Sequence, residues 1–216
     1  MIYPLALVAG AGFFLLGASQ AAVVTTGVNL VVNGDAETGT IDGWIGNATV
    51  ISSAPEVYEG SYSFGSGTGP ATETLEQTID LSDLLALIST GTAQYNLSAQ
   101  LQNRSASGVL DSARLSLQFF DVADAQIGST VTLTDPTSTP YAFSLETASD
   151  LIPATAQYAV LRLVFNRTGF SSTDAYADDI SFSIVDTSEV PVPGAMVLML
   201  TALTGGTIAR RAKKAR

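Results

Sequence analysis

Four carboxylates near the two ends of the chain's body have the clearest capacity for chemistry: Asp35, Glu37, Asp178 and Asp179. Paired carboxylates can act as acid and base in glycoside hydrolysis, or as oxygen ligands of a divalent cation. The 216 residues include no histidine and no cysteine, which excludes thiol nucleophiles, disulfides and zinc sites built on imidazole or thiolate. The choice for these carboxylates therefore lies between acid–base chemistry and a cation.

The segment 176–185 alternates apolar and polar residues, and this alternation predicts where its carboxylates point. Asp178 falls on the apolar, core-facing side, whereas Asp179 is expected to face outward. A carboxylate on the core side needs a partner. Ca²⁺ held by Asp178, Glu37 and backbone carbonyls of the opening loop would provide one. The alternative is that Asp178 lies at a solvated strand end.

The distribution of charge limits the partners of this chain. Lys and Arg number 9 against 20 Asp and Glu, which gives a formal net charge of −11. Five of the nine basic residues lie in the last seven positions, so the body contains no lysine and only Arg104, Arg114, Arg162 and Arg167. A surface this acidic repels phosphate backbones and attracts divalent cations, and we therefore expect no nucleic acid as a partner.

Most of the body alternates apolar and polar residues with a period of two, which is typical of β-strands. The clearest stretches are 94–102, 114–119 and 157–165, and further strands are expected near 30–33, 48–52, 62–65, 72–79, 127–133, 141–145 and 176–185. One short helix is predicted at Leu81–Ile88, with Ser82 as its cap. About ten short strands without a long helix predict an all-β sandwich or jelly roll.

Aromatic residues in or beside predicted loops are candidates for a sugar-stacking platform, because a ring face matches the apolar face of a pyranose. These residues are Tyr58, Tyr62, Tyr141, Phe170 and Tyr176. The alternative is that most of the rings are buried in the core.

Two motifs resemble galactose-binding-like jelly rolls, a superfamily that includes carbohydrate-binding modules. The opening stretch 29–44, NLVVNGDAETG followed by GW, and the closing stretch 174–182, DAYADDISF, look like the first and last strands of that fold. The resemblance implies a galactose-binding-like jelly-roll β-sandwich over residues 22–187, with the tryptophan in the core. It also implies a structural Ca²⁺ held by Glu37 and Asp178, where the first and last strands lie close together.

The N-terminal segment 1–21 predicts a secretory signal peptide. An apolar run from Leu5 to Ala18 is followed by the small residues of a cleavage site after Ala21. No basic residue precedes the run, in contrast to the usual positive n-region. The alternative interpretation is a buried N-terminal helix.

The C-terminal end predicts a membrane-directed segment in three parts. A linker at 188–194 precedes 15 apolar residues at 195–209, and the basic tail 210–216 is expected to remain cytoplasmic. This order resembles the PEP-CTERM sorting signal, carried here by Val190, Pro191, Val192, Pro193, Gly194, Arg210 and Arg211. The family most often has glutamate where this chain has Val192.

The resemblance of the tail implies processing by an exosortase-type enzyme after transient membrane anchoring through residues 195–209. The alternative is a plain single-pass anchor. Together these features predict an exported, non-enzymatic protein of the cell surface or extracellular matrix that associates with extracellular polysaccharide. Two other hypotheses remain: a carboxylate-dependent glycan hydrolase, and an anchored structural envelope protein without a ligand.

Overall fold

In the computed structural model, the stretches that alternate apolar and polar residues form β-strands, and the architecture is all-β. The structure describes residues 26–52, 56–106, 109–135, 142–168 and 174–188. The strands are β1 Ile45–Gly46, β2 Thr49–Ile51, β3 Ser63–Gly65, β4 Thr72–Asp80, β5 Ala93–Gln102, β6 Arg104–Ala106, β7 Val109–Phe120, β8 Gln126–Thr134, β9 Ser144–Leu151, β10 Tyr158–Asn166 and β11 Tyr176–Asp186. A 3₁₀ turn at Ser82–Leu84 leads into the short helix α1, Leu85–Ile88.

The strands form two antiparallel sheets. The six-stranded sheet has the order β1-β4-β10-β7-β6, and β8 also pairs with β7. The five-stranded sheet has the order β2-β3-β11-β5-β9. Strands β5 and β11 therefore lie inside one sheet, and β4, β10 and β7 lie inside the other, so these long strands contribute much of the core between them.

The core lies between the inward faces of the two sheets. Leu117 of β7 and Leu161 of β10 are fully buried on one side, and Leu97 of β5 and Phe182 of β11 are buried on the other. Phe119 bridges the layers, since its ring centroid lies 6.4 Å from that of Phe182. Burial of this apolar surface is the main stabilising contribution to the sandwich. Trp44 is 4% exposed and packs edge-on against Phe64, which confirms the core position that the resemblance implied for it.

Most predicted strands are confirmed, but β1 and β6 were not predicted, and two strand predictions and one helix detail differ from the structure. Residues 30–33 form no ladder strand, because the chain turns at 32–35, where Asn33 has a φ of 51°. The strand expected at 141–145 is instead β9, Ser144–Leu151. The predicted helix is confirmed as a 3₁₀ turn and α1, but Ser82 is not its cap: the backbone N–H of Ser82 donates to Asp80 Oδ1 at 2.8 Å.

Among the described residues, no helix is long and apolar enough to cross a membrane. The predicted signal peptide, the sorting-signal residues and the apolar segment 195–209 lie outside the described part of the chain.

The N-terminal stretch 27–36 runs beside β11, beyond the end of β3. Gly27 and Leu30 donate backbone hydrogen bonds to Ile184 O at 2.7 Å and Phe182 O at 2.8 Å. Gly34 then accepts the N–H of Ile180 at 2.9 Å, and its Cα lies so close to Ile180 O that any Cβ would overlap this oxygen. The glycine of the opening motif therefore fixes the approach of the N-terminal stretch to the closing strand.

Candidate functional site

A β-bulge in β11 decides where the closing carboxylates point. Asp178 pairs with Gln100 of β5 and Ser181 pairs with Ser98, so two residues of β11 stand opposite the single residue between them on β5. The bulge includes Asp179, which has a left-handed φ of 47°. Because directly paired residues point to the same face, Asp178 lies on the outer face with Gln100. The prediction that Asp178 shares the core face with the apolar residues of β11 was therefore wrong: the extra residue reverses the alternation.

Asp178 is nevertheless only 1% exposed, because the segment 56–62 covers it. Its Oδ2 accepts the backbone N–H groups of Tyr58 at 3.2 Å and Glu59 at 3.4 Å, and its Oδ1 accepts that of Asp179 at 2.8 Å. Burial raises the pKa of Asp178 to about 6, outweighing these hydrogen bonds, which favour the carboxylate form.

Glu37 contacts the same covering segment. Its Oε1 accepts the N–H groups of Ser61 at 2.8 Å and Tyr62 at 2.9 Å, and its carboxylate lies against Gly60, which has a φ of 74°. Glu37 and Asp178 thus both hold the segment 58–62, although more than 140 residues separate them in sequence. An oxygen-rich cation site would need further ligands from the backbone, since no group of three potential side-chain ligands occurs within the described residues.

Asp35 and Asp179 lie on the exposed side of this arrangement. Asp35 Oδ1 accepts the N–H of Glu37 at 3.3 Å. Asp179 is half-buried, and burial, followed by the negative charges of Glu59 and Asp35, raises the pKa of its carboxyl. Its orientation away from the core agrees with the prediction.

An aromatic pair lies on the outer face of the six-stranded sheet. Phe120 of β7 and Tyr158 of β10 are direct cross-strand partners, and their rings stack with centroids 5.0 Å apart and planes 6° apart. Tyr158 lines a cavity of about 370 Å³, together with Thr78, Asp80, Ser82, Asp121, Val122, Asp124 and Gln157. Val122 at its edge is 87% exposed. The cavity therefore combines an aromatic ring and an apolar edge with several hydrogen-bonding groups.

The turn after β7 positions the polar wall of this cavity. Asp121 Oδ1 accepts the N–H groups of Ala123 at 2.8 Å and Ala125 at 3.0 Å. Asp124 takes a φ of 58°, and its Oδ1 accepts the hydroxyl of Tyr158 at 3.1 Å. In the described parts of the chain, no donor reaches Oδ2 of Asp121 or Asp124. These oxygens remain available as acceptors for a ligand.

The same face continues as a polar surface along β10. Arg162 lies four residues from Tyr158 on the same side of the strand, about 13 Å away at the usual strand rise. Its Nε is 3.1 Å from Glu76 Oε1, and about half of each side chain is exposed. Beside them, Gln118 donates to Gln126 at 2.8 Å. A long ligand that extends along β10 from the aromatic ring would contact these charged and amide side chains.

The aromatic residues proposed from the sequence are placed differently. Tyr176 is 5% exposed and cannot serve as a platform. Tyr62 packs partly against the core, and Tyr58 is 46% exposed and packs edge-on against Phe143. Tyr141 and Phe170 lie outside the described residues. Phe120 and Tyr158 were not among the residues predicted from the sequence, although the alternation of 157–165 already placed the tyrosine on the face opposite Leu161.

Comparison with solved structures defines the class of fold. A family 16 carbohydrate-binding module superposes with a TM-score of 0.52 at 19% identity, covering 71% of this chain and 99% of that module. The enzymatically active domain of tailspike protein 4 of bacteriophage CBA120 gives a TM-score of 0.54 at 15% identity, covering 73% of this chain. This chain spans only 21% of that tailspike domain.

A family 61 module in complex with β-1,4-galactotriose gives a TM-score of 0.48 at 12% identity, over 74% of this chain and 99% of that one. No protein-family model matches the chain, and no curated protein matches it. At these identities the similarity concerns the fold alone. The chain is a carbohydrate-binding-module-like β-sandwich.

Proposed function

We propose that this protein binds a glycan through the outer face of the six-stranded sheet, as a galactose-binding-like jelly roll without catalytic activity. The observation that carries the proposal is the Tyr158 ring, stacked on Phe120 and lining a cavity with acceptor oxygens of Asp121 and Asp124. A ring of this kind offers its face to the apolar side of a pyranose, and the carboxylates accept hydrogen bonds from sugar hydroxyls. The fold is consistent with this function but does not by itself establish it.

A hydrolase is the less favourable interpretation, because a general acid must hold a proton near neutral pH. In the cavity, hydrogen bonds from Ser82 lower the pKa of Asp80, which makes Asp80 a poor acid. The carboxyl with the markedly raised pKa is Asp178, and the segment 58–59 encloses it away from any open cleft. The carboxylates therefore suit binding better than catalysis.

Tyr158→Ala is expected to weaken binding of a neutral oligosaccharide such as xylohexaose at this face by about tenfold, because the stacking surface is lost, at about 1.4 kcal/mol. Tyr158→Phe keeps the ring and should retain most of the affinity. Isothermal titration calorimetry on the full-length chain measures the change, in a detergent without a sugar headgroup. Tyr58→Ala is the matched control, since Tyr58 is exposed but lies outside the cavity. Equal loss in Tyr58→Ala and Tyr158→Ala would contradict the proposal.

We also propose that Ca²⁺ binds at Glu37 and Asp178 and ties the segment 58–62 to the sandwich. The support is that both carboxylates already meet this segment and that the body has few cations to neutralise them. Such an ion would have a structural role, and the glycan cavity lies on the other sheet.

For the ends of the chain, we propose export and sorting to the cell envelope, surface or matrix by a PEP-CTERM-type tail. The support is the order of VPVPG, the apolar run and the basic residues in the sequence. Truncation before Val190 is expected to release the protein into the medium of its producing cells, which immunoblotting of medium and envelope fractions measures. Mass spectrometry of the mature surface form should find no peptide from 195–216. Recovery of an intact C-terminal peptide would favour a permanent anchor.

A further inference from the structure

A polar groove lies on the outer face of the other, five-stranded sheet. Its volume is about 440 Å³, its floor includes Ser98 and Gln100 of β5 and Ser181 of β11, and Leu145 of β9 forms part of one side. The N-terminal stretch 29–35 forms the opposite side. A second depression of about 380 Å³, lined by Asn96, Leu97, Ser98, Thr147, Ala148, Ser149, Ser181 and Ser183, shares two of these residues and extends the groove.

Gln100 is the most informative residue of the floor. It is only 7% exposed, and its side-chain amide has no hydrogen-bond partner within the described residues. The amide atoms of Gln100 are not among the fully buried, unpartnered side-chain atoms of the described residues, so they are reached from the groove that Gln100 lines. The hydroxyls of Ser98 and Ser181 are half-buried beside it and also have no partner in the described structure. The floor therefore presents unused donors and acceptors to whatever enters the groove.

The N-terminal stretch 29–35 forms the wall of the groove, and its two asparagine side chains make hydrogen bonds within the protein. Asn29 accepts the N–H of Phe182 at 3.0 Å and donates to Ile180 O at 3.3 Å. Asn33 donates to two backbone carbonyls of the following turn, at 3.0 and 3.1 Å. A wall fixed in this way beside an unsatisfied floor is preorganised for a ligand, because binding does not require the wall to rearrange.

We propose that this groove is a second glycan-binding site, which accepts a neutral, hydroxyl-rich chain through hydrogen bonds rather than ring stacking. Sugar hydroxyls both donate and accept, and so they match the amide of Gln100 and the two serine hydroxyls. None of the residues lining the groove is aromatic. Asp35 and Asp179 at one end disfavour uronic acids. A peptide is a poor occupant, because the backbone groups of β5 are already paired on both sides.

The two sites would make the protein bivalent. The groove and the Tyr158 cavity lie on the outer faces of different sheets, and packed sheets are about 10 Å apart. Two separate polysaccharide chains can therefore bind to one molecule and be joined by it. This inference shares its ligand class with the proposed function, but it rests on different residues.

Calorimetry with xylohexaose and cellohexaose on the full-length chain, in a detergent without a sugar headgroup, tests the groove. The wild type is expected to bind two hexasaccharides, and Tyr158→Ala should retain the one in the groove. In that background Gln100→Leu should weaken the remaining binding by roughly three- to tenfold. Gln94→Leu changes the same residue type on the same face of β5, outside the groove, and should have no effect.

Thermal stability separates binding from a structural role. Gln100→Leu removes no hydrogen bond within the described residues and keeps a side chain of similar size, so its melting temperature should be unchanged or raised. A lowered melting temperature with unchanged binding would overturn the groove proposal. Loss of all binding in Tyr158→Ala would also overturn it, but would leave the proposed function intact. Unchanged binding in Tyr158→Ala, with weakening by Gln100→Leu, would refute the cavity and support the groove. Absence of binding by the wild type would refute both.

Discussion

Gly34→Ala is expected to lower the free energy of unfolding by about 3 kcal/mol, because an added methyl group would overlap the carbonyl oxygen of Ile180. That oxygen cannot move freely, since it accepts the side-chain N–H of Asn29 at 3.3 Å. The N–H of Ile180 is also engaged, with Gly34 O at 2.9 Å. Relief of the overlap would therefore separate the N-terminal stretch from β11. Urea unfolding of the full-length chain, followed by tryptophan fluorescence from Trp44, measures the loss.

Gly67→Ala is the matched control for this prediction. A methyl group at Gly67 would meet no atom within 4 Å, and its φ lies outside the left-handed region. The substitution should be neutral or stabilise by about 0.4–1 kcal/mol, because alanine restricts the unfolded chain. Equal stability of the two variants would show that the contact at Ile180 is not a constraint on the fold.

The sandwich was predictable from the sequence because its central strands have one buried and one outer face. In β10, Leu161 and Leu163 alternate with Val160 and Arg162, and this period of two is enough to identify the strand and its inward side. Strand β9 was recognised only at its start. It lies at the edge of its sheet, and most of its residues are exposed or half-buried, so its sequence SLETASDL has little apolar alternation.

The candidate sites were less predictable, because each depends on pairing between distant segments. The bulge at Asp179 places Asp178 on the outer face of the sheet instead of the core face. Nothing in the stretch DAYADDISF indicates that β11 contains an extra residue opposite β5. Gln100 lay on the predicted polar face, but its burial results from the N-terminal stretch and β9 on either side. The stacking of Phe120 on Tyr158 required the register of β7 and β10.

In metal-free buffer, the full-length protein is expected to lose stability steadily as the pH rises from about 4 to about 6. Asp178 has a pKa of about 6 when folded, against about 3.9 for an unperturbed aspartate, so between these pH values the folded state retains a proton that the unfolded state has released. The stabilisation is complete below about pH 4 and is lost above pH 6, at a cost of about 3 kcal/mol. Asp80 and Asp186, whose pKa values are lowered, act in the opposite direction, at more acidic pH.

Calcium should remove this loss if it binds at Glu37 and Asp178. At a hundredfold excess over its dissociation constant, an ion that binds only the folded state stabilises it by about 2.7 kcal/mol. At pH 7.5 the melting temperature should then be roughly 5–10 °C higher with calcium than with EDTA. At pH 5 the difference should shrink, because the proton on Asp178 competes with the ion.

Substitutions at Asp178 and at Asp179 are expected to have different effects on the pH dependence and on the calcium response. Asp178→Asn should flatten the pH dependence in EDTA and lose most of the response to calcium, because it removes the only group in β11 whose pKa is raised to about 6. Asp179→Asn should keep the calcium response, since Asp179 points into the groove instead of toward the segment 58–62. Differential scanning calorimetry across pH 4.5–8 measures the melting temperature of each of the two variants, with calcium and with EDTA. Identical melting at pH 7.5 with calcium and with EDTA would exclude the ion, and a flat profile in EDTA would exclude the buried proton.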